Sequence, residues 1–490
     1  MSTPGAARPT DPTEPSMVVP DWDAAAGASR DVLGRGSLYT IATAAPILAA
    51  VLVTPFVTRV LGATEYGVVA IGLTVVQVAS MIGGLGMAAA ITRHGILERS
   101  GAAGARSLVV RGSAASTVLV LVAMALGPLW GEPVLGTPWR AGLAFAVTAA
   151  AGFGTMLNAQ SFLRVLDRPV PFVALSATAT LGGPLIGLVL VTVRGTDADD
   201  YLFGLMLGYL LAGVAGIVLA LRGGRPRGEP GDFLHALRVG LPAVPHLVAL
   251  FLAQNALIIV AAQNLSQADG GRLQIALLVG ASPAMIVAAL NNAWAPVVYR
   301  TAPEQRGAAL ERTARDVGAL TAVLAGGVAL LSPWALQVLA PASFAPNELV
   351  AAVGIAAVGS VISVVYLGNV HLVFASSRSG GLALASPLAL VVGVLAAVVL
   401  VRLGGLTAVA VGFPATYLAL AIGTSVLRRR VSPTRWRESV LALPLACGIA
   451  VSAVGTVLPS TGALWIAVRL ALAVVLGVAG LLLVRRVFTR

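Results

Sequence analysis

The 490-residue chain has no lysine; all 32 of its basic residues are arginine. A phosphate-cradling loop of the Gly-x-x-x-x-Gly-Lys type is therefore excluded. Cysteine is reduced to Cys447, inside an apolar segment, so no disulfide framework exists and the thiol reads as a small hydrophobe. Charged residues make up 11% and aromatics 5%. Soluble domains carry about 25% charged residues, so a soluble multidomain protein is excluded. There is no metal-spaced histidine pair and no Gly-x-Ser-x-Gly. No catalytic residue, metal or cofactor is assigned, and the chain does not read as an enzyme. Residues 1–33 are rich in proline and acid and lack an apolar core, which reads as a disordered cytoplasmic tail with no signal peptide.

What fills the chain instead is apolar: 58% of residues are hydrophobic, with a mean hydropathy of +0.92. Ala, Val, Leu and Gly dominate, as in packed transmembrane helices where small residues let backbones approach. Hydropathy and interrupting charges predict about fourteen spans: 37–60, 66–91, 107–130, 140–163, 170–193, 201–222, 239–264, 272–299, 316–340, 348–374, 382–401, 405–427, 439–458 and 462–484. The expected fold class is an all-α polytopic membrane protein.

The formal net charge of +12 invites a nucleic-acid partner. Its placement excludes one. With the amino terminus in the cytoplasm, 26 of the 32 arginines fall on the tail and cytoplasmic loops, and Arg59, Arg140, Arg194, Arg272, Arg402 and Arg469 fall outside. This is the positive-inside bias, with basic residues in contact with the membrane surface. An even number of spans places both termini in the cytoplasm.

The chain also repeats weakly. A shift of 204 residues lays Gly36 on Gly240 and Gly67 on Gly271, with eleven identities over the 47 positions from Gly36 to Ile82. Two similar halves with a site between them are a common transporter plan. Pro46, Pro55, Pro242, Pro245, Pro283 and Pro296 mark spans 1, 7 and 8 as bent, cavity-lining helices. The Gly83-Gly84-Leu85-Gly86 run lies in a transmembrane helix and follows no strand, so it reads as close helix packing rather than a dinucleotide loop.

The stretch Phe56-Val-Thr-Arg59-Val-Leu-Gly62-Ala-Thr-Glu65-Tyr66-Gly67 joins the first two spans, and Gly84-Leu-Gly86-Met-Ala-Ala-Ala-Ile-Thr-Arg93 closes the second. Together they resemble the opening hairpin of O-antigen-type polysaccharide flippases of the multidrug/oligosaccharidyl-lipid/polysaccharide exporter superfamily. Leu163-Arg164-Val-Leu-Asp-Arg168-Pro, Gly240-Leu-Pro242 and Asn292-Ala-Trp-Ala-Pro296-Val-Val-Tyr299-Arg300 also resemble that family, and the likeness in layout covers roughly residues 34–430. The resemblance implies two six-helix bundles, 34–222 and 239–430, around a central cavity. The tail 1–33 precedes them, a cytoplasmic linker 223–238 joins them, and residues 431–490 add two helices. It further implies transfer of an undecaprenyl-diphosphate-linked oligosaccharide across the cytoplasmic membrane for surface polysaccharide synthesis. The implied partners are this substrate, membrane lipids and a polymerase or ligase of the same pathway. A lipid II-type cell-wall precursor flippase and a multidrug/cation antiporter of the same superfamily are the alternatives.

A diphosphate needs cations, preferably the planar fork of arginine. Candidates at the ends of the cavity helices are Arg59, Arg93, Arg164, Arg272 and Arg300. A glycan needs amides; Gln254, Asn255, Asn291 and Asn292 lie deep in spans 7 and 8. Gln77, Asn158, Gln160, Asn369 and His371 are further buried polar positions, read equally as interhelical bonds. His246 reads as a satisfied structural histidine, and Arg469, a turn or two inside the last span, as a snorkelling side chain. No Asp or Glu lies at the centre of any span, so exchange of ions at a buried carboxylate is not supported.

Overall fold

A computed structural model describes the backbone of residues 22–195, 197–376 and 378–488, and side chains from 49 onward except at 292, 293, 379, 487 and 488. The expected tail lies largely outside the described residues. Among them there are helices and no strands. This follows from the solvent: in hydrocarbon every backbone N–H and C=O must be satisfied within the segment.

The first half comprises α1 (Trp22–Gly83), α2 (Met87–Leu97), α3 (Gly101–Ala125), α4 (Gly127–Leu135), α5 (Ala141–Val165), α6 (Pro169–Ala177), α7 (Gly183–Arg194) and α8 (Ala198–Arg222). A short α9 (Asp232–Gly240) follows. The second half comprises α10 (Val244–Asn264), α11 (Gln267–Gly280), α12 (Ser282–Arg300), α13 (Pro303–Leu339), α14 (Val350–Ala375), α15 (Leu382–Val409) and α16 (Gly412–Val431). Last come α17 (Ala442–Val457) and α18 (Ala463–Phe488).

Among the described residues, eleven helical runs are long and apolar enough to cross a membrane, with α6–α7 and α9–α10 each counted as one run, or twelve if the pair α11–α12, bent by 49°, is one span. The expected fourteen are not reached by this test. It counts α1 once, and it omits α16, which ends in Arg428, Arg429 and Arg430. Yet α1 is two arms. Gly62 takes φ +69°, ψ 179°, outside the helical region, and Thr54 and Tyr66 on its two sides face one cavity. The chain turns back at Gly62, where a positive φ favours glycine.

Within the first half, α5 packs on α8 and α7 on α8 through small residues. Gly183 and Gly187 lie against Gly208 and Gly204, where an added Cβ would come within 2.3 Å of the facing glycine Cα. Close backbone approach is how helices associate where lipid removes the hydrophobic driving force. The span formed by α6 and α7 contains a π-helical stretch at Thr178–Gly182, just before Pro184. Sequence reading did not foresee this distortion, although Gly182-Gly183-Pro184 is its signal. At the other glycine run, α1 stops at Gly83 and α2 starts at Met87, with Leu85 and Gly86 at φ 51° and 70°. The run serves close packing, as expected, but at a break rather than within a continuous helix.

Arg469 does not snorkel. It is fully buried. Its guanidinium donates to Leu330 O (2.9 Å), Gly455 O (2.9 Å), Pro459 O (3.1 Å), Ala329 O (3.4 Å) and Leu458 O. Pro333, inside α13, has no N–H to give Ala329 four residues earlier. Arg469 fills that vacancy and also caps the end of α17, tying α17 and α18 to the bundle.

Candidate functional site

The two halves meet at both ends of α1's second arm. At the Gly62 end, an added Cβ at Gly67 would sit 2.0 Å from Gln267 O, and one at Gly271 would sit 2.6 Å from Ala63 O. These pairs are related by the 204-residue shift, 63 to 267 and 67 to 271. The contact is thus reciprocal, as it must be about a twofold axis. Thr58 Oγ1 donates to Leu339 O at 2.7 Å and Arg59 reaches Val338 O at 3.2 Å, both at the end of α13. At the opposite end Gly86 and Gly240 touch: an added Cβ would meet the partner's carbonyl oxygen at 2.2 or 2.5 Å.

Between these seams lies a cavity of about 230 Å³. Its polar lining comprises Thr54, Tyr66, Gln77, Thr180, Tyr201, Tyr209, Asn255 and Gln274, from α1, the π-helical stretch, α8, α10 and α11. Among the described residues, no charged side chain lines it. Asn255 Nδ2 donates to Phe251 O of its own helix at 2.9 Å, leaving its oxygen for the cavity. Gln274 Oε1 is buried without a hydrogen-bond partner. An unmade bond of this kind costs about 1–3 kcal/mol.

Of the four glycan candidates, the structure brings Asn255 to this cavity. Gln254 and Asn291 do not line it, although Asn291 Oδ1 is also buried and unpartnered. The side chain of Asn292 lies outside the described residues. Gln77 does line it. Asn158 bonds Ser113 (3.4 Å) and Gln160 bonds Phe172 O (3.2 Å), so these join helices, while Asn369 accepts from Trp436 Nε1 (3.2 Å) in the segment after α16. His371 packs edge-on to Trp294, ring centres 4.7 Å apart. His246 is buried, with Nδ1 2.6 Å from Ser386 Oγ and Nε2 3.4 Å from Tyr366 OH. Thr54, Tyr201, Tyr209 and Gln274 were missed. Tyr201 and Tyr209 are eight residues apart on α8, close to one helical face, which was the available signal.

None of the five arginines lines the cavity. Arg59 and Arg272 lie at the Gly62 seam. Arg272 bonds Asp269 (3.0 Å), Phe344 O (2.9 Å) and Glu348. Arg93 lies at the Gly86 end, 2.9 Å from Glu98 and 3.2 Å from His235 on α9. Arg164 donates to Ser161 (3.2 Å) and stands over the Phe172 ring. Arg300 is exposed at the end of α12.

Glu65, in the hairpin, accepts from the Ala198 N–H at 3.0 Å and pairs with Arg140 at 3.4 Å. Arg140 also bonds Asp197 and Asp199. Burial works against its charge, but Asp199, Glu65 and Asp197 outweigh it and hold the guanidinium above its ordinary range.

The same architecture occurs in solved structures. The lipid II flippase MurJ in an inward closed conformation superposes with a TM-score of 0.66 at 11% identity, covering 92% of this chain and 100% of that one. The eukaryotic MATE transporter AtDTX14 gives 0.58 at 15% identity, over 85% and 99% of the chains. A mutant of the Vibrio cholerae MATE transporter VcmN gives 0.59 at 12%, over 83% and 98%. A search of curated protein sequences finds no match. At sequence level, the family described as "Polysaccharide biosynthesis protein" matches residues 33–302, more than half of the chain and all of its first half. The hairpin, the paired halves and the fold agree with that match, and the chain belongs to the polysaccharide biosynthesis protein family.

Proposed function

We propose that this protein moves an undecaprenyl-diphosphate-linked oligosaccharide from the inner to the outer leaflet of the cytoplasmic membrane by alternating access. The observation that carries the reading is the uncharged cavity between the halves, with Gln274 Oε1 buried and unpartnered in its wall. Hydroxyl donors of a sugar satisfy such a wall; a cationic drug needs a carboxylate there, and the lining has none. At about 230 Å³ the cavity is smaller than the roughly 300–1,000 Å³ of small-ligand pockets. That size fits a resting state with glycine seams shut at both ends, and passage then requires the seams to open in turn.

The Gly86 end is taken as cytoplasmic, because most of the arginines fall on that side. Arg93 and Arg300 then stand where a diphosphate headgroup enters, and Arg59 and Arg272 where it leaves. Arg164 lies on the entry side, one helix removed. The lipid tail stays in the bilayer, and no covalent step is needed. Surface-polysaccharide polymerases or ligases are the partners that consume the product.

The test is a deletion strain complemented with variants. Loss of the protein should accumulate a lipid-linked oligosaccharide at the inner leaflet. Wild type should clear it, and Asn255→Ala/Gln274→Ala should not, at equal membrane levels. Accumulation of a lipid II-type precursor would establish the cell-wall alternative. A strain that accumulates no lipid-linked precursor would overturn the proposal.

A further inference from the structure

At the Gly86 end, away from the seams, the segment joining α16 to α17 closes over a cavity of about 660 Å³. Arg428, Arg429, Ser432, Thr434, Arg435 and Arg437 line it, together with one carboxylate, Glu311, which is paired with Arg437. Basic loops are ordinary at this face. This one differs in being built.

The segment is pinned at four places. Arg435 O lies so close to Gly307 of α13 that a Cβ there would approach within 2.3 Å. Trp436 is 5% exposed, packs on Gly368 and donates to Asn369 on α14. The Arg437 N–H donates to Glu311 Oε1 at 2.8 Å. Glu438 Oε1 accepts from Ser425 Oγ at 2.6 Å and from Arg428 Nη2 at 3.0 Å. Helices α13, α14 and α16 thus fix one irregular segment, whereas a loop that only set topology would need no such anchoring.

Its charges are unbalanced. Arg437 pairs with Glu311 and Arg428 with Glu438. Among the described residues, Arg429 and Arg435 have no ion-pair partner and are exposed at the cavity. Arg428 is 6% exposed, yet its Nε–H has no acceptor. The two exposed, unpaired guanidiniums, Arg429 and Arg435, are what a multiply charged oxyanion would meet. The planar forks of arginine match phosphate bidentately, and Ser432 and Thr434 add hydroxyls.

We propose that the segment 428–437 is a binding site for a phosphate group, supplied by an anionic lipid headgroup of the adjacent leaflet or by a soluble phosphorylated molecule. The site lies apart from the central cavity, so it does not depend on what that cavity carries. A bound phosphate would tie α16 to the start of α17, giving the second half a contact with the membrane surface.

The full-length protein in detergent is titrated with short-chain phosphatidylglycerol, short-chain phosphatidylcholine or inorganic pyrophosphate, and its melting temperature is followed. Phosphatidylglycerol should raise it and phosphatidylcholine should not. Arg429→Ala/Arg435→Ala should weaken the apparent affinity at least tenfold. Arg225→Ala/Arg227→Ala, an exposed basic pair in the linker, should change it less than twofold. Arg429→Lys/Arg435→Lys, which keeps charge but not the fork, should fall between. An arginine-dependent response to pyrophosphate alone would assign the soluble source. No response to either probe, or equal losses in the two alanine pairs, would overturn the site. Melting of each variant without additive reports whether it is folded.

Discussion

Gly67→Ala is the sharpest test of the seam. The new Cβ would lie 2.0 Å from Gln267 O and 2.9 Å from Gln267 C, where ordinary contact begins at 3.4 Å. The obstacle is backbone, so no rotamer change relieves it, and α11 must retreat by about 1.4 Å or the halves must separate. Overpacking of this kind costs about 1–3 kcal/mol. The cost is confined to the state in which the Gly62 end is shut. The gain in helix propensity, about 1 kcal/mol, applies to both states and cancels. The shut-to-open ratio should therefore fall roughly 5- to 150-fold. Ala340→Cys in a Cys447→Ser background gives the readout, since Ala340 is 1% exposed beside the Thr58–Leu339 contact. A water-soluble maleimide should label this cysteine at least fivefold faster with Gly67→Ala. Gly62→Ala is the control: its Cβ meets nothing within 4 Å and its φ is strained in either state. Labelling within twofold of the parent, in a protein that elutes as a single species, would refute the reasoning.

Gly86→Ala, placed 2.2 Å from Gly240 O, should loosen the opposite seam and leave Ala340→Cys labelling unchanged; a cysteine at Ala236, which is 2% exposed on α9, should instead become reactive. Arg469→Met leaves buried carbonyls without donors and should cost about 1–3 kcal/mol for each one that finds no other partner, read by thermal melting; a loss under about 1 kcal/mol would contradict the capping role. Arg59→Ala should impair export and also raise Ala340→Cys labelling, because it frees Val338 O; impaired export with no change in labelling would favour a direct contact with the cargo. Gln274→Glu places a charge in an uncharged wall and should abolish export at normal membrane levels; unimpaired export would show that the amide does not face the cargo.

Much was legible in the order of residues. Class and hydrophobic layout followed from composition, because a bilayer leaves the backbone few choices. The hairpin between the first two spans was also visible, and its glycines prove structural: Gly62 takes a positive φ and Gly67 allows a 2.0 Å approach. The 204-residue shift pointed to the pairs that now touch reciprocally at Gly67 and Gly271. The site was less legible. Arginines near helix ends look alike in sequence, and only packing shows that Arg272 is held by Asp269, Glu348 and Phe344 O. Arg469 looked interfacial because its depth was counted along one helix, while its acceptors come from α13 and α17.

The sequence by itself therefore determined the solvent, the helical fold, the family and the turn at Gly62, each of which depends on local residue chemistry. The tertiary structure decided which polar groups share a cavity. Gln77 stands far in the chain from Asn255 and Gln274, the three are on different helices, and their convergence depends on the angles at which α1, α10 and α11 cross. Those angles are set by contacts between glycine backbones, which hydropathy does not record.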